Sequence, residues 1–495
     1  MWVTIYFIFS YAIFFYSIAT MLAMVILAFL SIRAQHRAEI NAPDDNTIRY
    51  FMKDSPVTPK VSIIASAYNE ELTVIENAHS LLSIDYPSYD VIIVNDASTD
   101  KTLEYLMDEF KLVPIPYTNT FRVPSKPIKA VYRSTIDERL LVIDKEHGGF
   151  KSDGINAGIN VTDAPYFINT DVDCIVEPLA LYRMMWRVIN SHDTMVGVGA
   201  TMLMANGCKI ENGRVTEPAI SWNPFPWFQQ LEYMRSFLLG KLGWSAINTL
   251  PNISGGFGLF NTNVVVKSGG YDQVSMAEDV DILLRMVTYM SNTGQKFRIG
   301  QVAEVCCWTE GPYSFRTIYR QRKRWGRGMC EIISHHWSLF FNPAYGRYGK
   351  FTLPYIFVFE FIAPVLEAVG LGFMIWLMLA SKVNWTTAFM IFGMIYVFAV
   401  LITVTTIIFD HSIRSVRWKN TWWSHVKLFL AGAAEPIFYH PIITFCTLVG
   451  YINFLSHRTA EWKQIKRRGF GDRRRKDDDE DEAGSVAPEG AAGTT

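Results

Sequence analysis

From Met1 to Ile32 the chain carries no charged residue, and a second uncharged run covers Trp385 to Phe409. A bilayer core is crossed by about 20 apolar residues in a helix, and backbone exposed to lipid has to satisfy its own hydrogen bonds. Both runs therefore predict transmembrane helices, and they confine the main soluble domain to the chain between them. The first run is too long for a signal peptide and lacks its basic start and small-residue cleavage site. Arg33, Arg37 and Lys53 follow it. Positive charge marks the cytoplasmic side, so the N-terminus is expected outside and the chain from residue 33 inside.

The net charge of −1 says nothing about nucleic acid; no domain-wide basic surface is evident, and no nucleic-acid partner is expected. The six cysteines form no Cys-x-x-Cys pair and are sparse for a disulfide framework, which suits a reduced, cytosolic compartment.

Within the soluble part, short apolar runs end in polar residues and alternate with helical patterns. Val61 to Ala67 runs into Tyr68 and Glu70, and Val91 to Val94 runs into Asn95-Asp96. Helices are predicted over Glu71–Leu82 and Thr102–Phe110. The stretch 113–135, with four prolines, reads as a loop. Leu140 to Asp144 is a third strand, followed by Gly148-Gly149-Phe150-Lys151 entering a helix. Such alternation predicts a mostly parallel sheet covered on both faces, with ligands beyond the carboxyl ends of its strands.

Lys151 at a helix start suits a phosphate, although a glycine loop is a weak signal. Tyr166 to Thr170 leads into Asp171-Val172-Asp173. Two carboxylates at a strand end suit Mg²⁺ shared with substrate phosphates, yet many Asp-x-Asp pairs are solvated turns. Glu278-Asp279 opens a helix, where acids are also favoured by the dipole. Phe228 to Leu239 reads as an amphipathic helix, either interfacial or simply packed. Arg316 to Arg327 is strongly basic and fits a membrane surface. Within it Gln321, Arg324 and Trp325 stand at i, i+3 and i+4, on one helical face.

Taken together, Asp96, Asp171-x-Asp173, Glu278-Asp279 and Gln321-x-x-Arg324-Trp325 resemble, in order and approximate spacing, the membrane-embedded family 2 glycosyltransferases. Cellulose, hyaluronan, chitin and poly-N-acetylglucosamine synthases belong there. The resemblance covers about residues 60 to 330. Ala277-Glu278-Asp279 departs mildly from the Thr-Glu-Asp usual in relatives. Asp144-Lys-Glu-His-Gly-Gly and Cys307-Trp-Thr-Glu310 look most like the poly-N-acetylglucosamine branch. After Arg458 only a short tail follows, unlike synthases with a regulatory barrel.

The resemblance implies an α/β GT-A domain, Rossmann-like and mostly parallel, cytosolic and embedded between transmembrane helices of a multi-pass inner or plasma membrane protein. It implies transfer from a UDP-sugar, with inversion, to a growing β-linked polysaccharide. Tyr68, Glu70 and Asp96 would hold the uridine, and Lys151 and Asp171 the diphosphate. Asp171 and Asp173 would carry Mg²⁺ or Mn²⁺. Asp279, beside Glu278, would be the base, and Gln321, Arg324 and Trp325 would serve the acceptor and diphosphate. The partners implied are the sugar nucleotide, a glycan or lipid-linked acceptor and the bilayer, with room for accessory export proteins. Two other readings stand beside this one. The first is a single addition to a lipid or short glycan. The second is a scaffold that keeps a degenerate transferase domain.

The expected divisions are a transmembrane helix over 1–32, the cytosolic domain over 33–335, a membrane block over 336–457 and a tail over 458–495. The block holds spans at 354–380 and 385–409. Glu360 and Glu367, seven apart on one face, read as the border of a polar glycan path or as acids near the interface. Residues 428–455 are interrupted by Glu435-Pro436 and His440-Pro441 and predict a short hairpin or interfacial helix pair. Trp462 and the basic residues after it loosely resemble a gating segment, and the chain from Arg473 is expected to be disordered.

Overall fold

A computed structural model describes residues 2–456, apart from 42, 119, 212, 414, 415 and 417. The tail with Trp462 and the charged stretch from Arg473 lie outside the described residues.

Among the described residues twelve strands form: β1 (Val61–Ala67), β2 (Tyr89–Asn95), β3 (Leu112–Ile115), β4 (Ile128–Ser134), β5 (Leu140–Lys145), β6 (Tyr166–Asp171), β7 (Cys174–Val176), β8 (Thr194–Met204), β9 (Lys209–Glu211), β10 (Arg214–Glu217), β11 (Phe257–Asn261) and β12 (Phe297–Thr309). Ten make one mixed sheet in the order β3-β4-β5-β2-β1-β6-β11-β8-β12-β7, and β9 pairs with β10 alone. The centre, β5-β2-β1-β6, is parallel. Its strands are buried on both faces, which is why they read as unbroken apolar runs. Side chains alternate across it: Ile63 and Ile93 enter one core, Ile64 and Ile92 the other.

The proline-rich stretch expected to be a loop contains β3 and β4, which extend the sheet antiparallel. β3 is an edge strand, a place where a proline, with no N–H to donate, is tolerated.

Register decides what meets at the carboxyl ends. Ala67 pairs with Asn95, Asn95 with Asp144, and Ser66 with Asp171. One step beyond Ala67, Asn95 and Asp144 stand Tyr68, Asp96 and Lys145, and they share with Asp171 a single edge.

Among the described residues, four helical stretches are long and apolar enough to cross a membrane: Ser10–Ala38, Tyr348–Leu379, Trp385–Ile413 and Thr421–Leu455. The last corrects the expected hairpin. The chain stays helical through both Glu-Pro and His-Pro because a π-helical turn, Glu435–Tyr439, takes up the break. Such a turn re-registers the backbone ladder, so a proline with no N–H is accommodated without ending the helix. Two more π turns, Tyr348–Thr352 and Ile356–Phe361, precede the Ala363–Leu379 helix.

The Phe315–His335 helix packs on the His440–Leu455 helix at backbone distance. A Cβ on Gly326 would stand 2.5 Å from the Thr447 carbonyl oxygen, and Gly450 lies equally tight against Lys323 and Arg327. The amphipathic stretch after Phe228 is a packing element. Phe225–Met234 continues through a π turn, Arg235–Lys241, to Leu242–Ala246, and Gly243 abuts the Leu27 backbone of the first helix.

Candidate active site

Beyond β1, Asn69 takes a left-handed turn, φ +54°, and its side-chain oxygen accepts from the Thr99 N–H at 2.7 Å. The Glu70 carboxylate accepts from the Thr73 hydroxyl at 2.9 Å. Asp96, 4% exposed, is surrounded by donors. Lys145 Nζ reaches its Oδ1, as does the Gly148 N–H at 2.9 Å, and His147 Nδ1 lies 3.0 Å from its Oδ2. Lys145, fully buried, also holds Asp153 at 2.6 Å. The His147 ring stacks on Tyr68, centroids 4.6 Å apart.

Lys151 opens its helix with Nζ 2.5 Å from Asp171 Oδ1 and 2.6 Å from the Gly255 carbonyl. Burial works against its charge, but the Asp171 and Glu278 carboxylates outweigh this and hold its pKa above the usual lysine range. Asp171, Asp173 and Cys174 each offer a ligand atom, all within 4.8 Å of one another. Two carboxylates suit a hard divalent ion that completes its shell with phosphate oxygens and water. The thiol suits it poorly, and Cys174 Sγ is turned to the Gly256 carbonyl at 3.4 Å. The residues fit Mg²⁺ or Mn²⁺ through the aspartates alone.

The Gly255-Gly256 turn joins this pair to the second acidic site. A Cβ on Gly256 would lie 3.5 Å from Asp171 Oδ2, and one on Gly255 would lie 3.1 Å from Glu278 Oε1. Glu278 and Asp279 start the Glu278–Asn292 helix. Burial first, and the Asp279 charge second, push Glu278 up to about 7, with Arg324 and Lys151 pulling the other way. Asp279 accepts from Asn252 Nδ2 at 2.8 Å and from the Val280 N–H at 3.0 Å.

Gln321, Arg324 and Trp325 face the same space, while Arg322 turns away. Its guanidinium grips Glu232 with two 2.6 Å bonds and sits 4.2 Å above the Trp325 ring. Every site residue named from the sequence lines one cavity of about 2470 Å³: Tyr68, Glu70, Asp96, Lys151, Asp171, Asp173, Glu278, Asp279, Gln321, Arg324 and Trp325. The cavity continues between the membrane helices to Glu360 and Glu367. Glu367 is bound there by His440 at 3.0 Å and Thr444 at 2.6 Å.

Sequence reasoning missed Asn252, Lys145, His147 and the Arg322–Glu232 pair. Lys145 and His147 stand in the Asp144 to Gly149 segment, whose signal was a family likeness with no role attached. Asn252 and Glu232 carry no local signal.

Two family models match the chain: Glycosyl transferase family 2 over residues 62–232 and Glycosyl transferase family group 2 over residues 241–409. The chain belongs to glycosyl transferase family 2. This glycosyltransferase is 26% identical over 286 residues to the probable glycosyltransferase YdaM of Bacillus subtilis, an alignment covering 57% of this chain and 58% of that one. It is 23% identical over 324 residues to a poly-beta-1,6-N-acetyl-D-glucosamine synthase of Staphylococcus aureus, covering 64% of this chain and 66% of that one. The chain thus spans less than two thirds of either relative's length. Among solved structures, the family 2 chain matches the mannosyltransferase PcManGT from Pyrobaculum calidifontis in complex with GDP-Man and Mn²⁺ at 14% identity, with TM-score 0.42, covering 87% of this chain and 98% of that one.

Proposed function

We propose that this glycosyltransferase transfers a hexose or N-acetylhexosamine from a UDP-sugar to a growing β-linked polysaccharide and passes the product into the cavity between its membrane helices. The observation that carries the reading is the continuity of that cavity from Tyr68 and Asp96, past the acidic pairs, to Glu360 and Glu367. The likeness to a poly-beta-1,6-N-acetyl-D-glucosamine synthase supports the substrate class.

In this reading residues 33–335 face the cytosol. Tyr68, Glu70 and Asp96 hold the uridine, and Lys151 lies along the diphosphate. A divalent ion held by Asp171 and Asp173 supplies charge neutralisation to the diphosphate. Asp279, oriented by Asn252, takes the proton of the acceptor hydroxyl. The acceptor oxygen bonds to the anomeric carbon as the bond to UDP breaks on the opposite face, its electron pair leaving with the phosphate. Arg324 faces the charge that develops there. One base and one displacement give inversion, hence a β-linkage from an α-linked donor. Trp325 offers a flat face to the acceptor ring, and Glu278, its pKa raised by burial and by Asp279 to about 7, carries less than a full negative charge beside Asp279 near neutrality.

A second reading, a single addition to a lipid-linked acceptor, draws support from the many aliphatic side chains lining the membrane half of the cavity. A degenerate scaffold fits poorly with so complete a set of acidic groups. The test is purified protein against a panel of labelled UDP-sugars, with product length measured. Long products support the first reading and single additions the second. Asp279→Asn is expected to cut transfer by about 10²–10⁴-fold while UDP still binds; full activity would remove the base assignment, and no transfer from any donor would remove the function.

A further inference from the structure

The nucleobase slot, on the reading that Tyr68 and Asp96 form it, is already filled by the chain itself. The His147 ring lies on the Tyr68 ring with centroids 4.6 Å apart and planes 29° from parallel. Its Nδ1 points at Asp96, 3.0 Å from Oδ2 and 3.1 Å from the main-chain oxygen. A flat nitrogen heterocycle stacked on a tyrosine, with a ring N–H aimed at a buried carboxylate, is what a pyrimidine would present in the same place. The other Asp96 oxygen is occupied by Lys145 and by the Gly148 N–H, so Oδ2 is the oxygen that His147 and an incoming base would share.

We infer that His147 is a built-in competitor for the donor's base: it occupies the slot when the donor is absent and has to leave before a uracil ring can stack on Tyr68 and reach Asp96.

The loop permits this movement. The His147 side chain is 49% exposed, so it has solvent to swing into. The backbone after it is pinned by the Gly148 N–H on Asp96 and then turns through Gly149 at φ +84°, with open space around it. Departure therefore needs a side-chain rotation, with Lys145, Asp96 and Asp153 left in place. The cost of departure is one ring stack and one hydrogen bond. When the competent state is a minor fraction, apparent affinity falls by that fraction.

The test uses the full chain in detergent or nanodiscs, with UDP and uridine as probes. Uridine lacks the diphosphate and isolates the slot. His147→Ala is expected to tighten both by about 3- to 10-fold. His147→Phe keeps the stack and loses the hydrogen bond, and is expected to fall between. Tyr68→Ala is expected to weaken both. If Tyr68→Ala weakens binding while His147→Ala leaves it unchanged or weakens it, the competitor is overturned and the slot stands. If neither substitution alters binding, the slot reading and the competitor fall together.

Discussion

Arg322 is the residue between Gln321 and Arg324 that does not face the cavity, and its removal should be felt twice. The residue is 4% exposed, and its guanidinium makes two 2.6 Å bonds to Glu232, with a third, at 3.3 Å, to the Tyr439 hydroxyl. Breaking a buried pair from one side costs about 3–5 kcal/mol, because the charge left behind is uncompensated. The Glu232 side chain is 27% exposed and borders the cavity, so water reaches it and Arg322→Met belongs at the low end, about 3 kcal/mol. For a chain of this size that corresponds to a fall of about 3 °C in melting temperature. Glu232→Gln leaves the more deeply buried partner alone and should cost at least as much. Removing both charges together should restore much of the loss, since no unpaired ion remains. The assay is thermal unfolding of the three variants in one detergent, with transfer activity alongside. Loss of the cation under Trp325 should also raise the acceptor KM of Arg322→Met. A double variant as unstable as the two single losses added together would refute the idea that the pair is the source.

Glu278, raised to about 7 by burial and then by Asp279, keeps its proton in the folded chain at pH values where the unfolded chain has lost it. Its contribution to stability is complete below about 4.5 and is lost as pH rises to about 7. In chelator, Glu278→Gln should therefore be more stable than the parent at pH 8 and little changed at pH 5; equal shifts at both would contradict the assignment. Excess chelator should abolish transfer and added Mn²⁺ or Mg²⁺ restore it, with Asp173→Asn reducing turnover at least about 10²-fold; undiminished turnover in chelator would remove the metal site. Gly326→Ala should destabilise the chain by about 1–3 kcal/mol through overpacking against Thr447. Gly240→Ala, whose Cβ would meet only the Arg235 carbonyl at 3.8 Å, should be neutral or stabilising by up to about 1 kcal/mol in the same unfolding assay.

The parallel centre of the sheet was legible because strands buried on both faces leave continuous apolar runs, and the residue after each run marks the ligand edge. Asp96 and Asp171 were found that way, and Lys151 from the glycine loop entering a helix. The strands inside 112–134 were hidden because an edge strand tolerates Pro114 and exposes alternate positions. The continuous Thr421–Leu455 helix was hidden because a π turn absorbs a proline without a compositional mark. Partners supplied across the fold were the hardest to see. Asn252 reaches Asp279, and Glu232 reaches Arg322 across 90 residues, and no spacing rule links such positions.

The glycine contact between the Phe315–His335 and His440–Leu455 helices leaves no room for side chains to cushion one from the other. Tilting is one way a helix answers a bilayer of mismatched thickness, and a tilt of the second helix would be passed to the first, which touches it backbone to backbone. Arg324 and Trp325 ride on that first helix, so a tilt of the second would be felt at the mouth of the cavity they line.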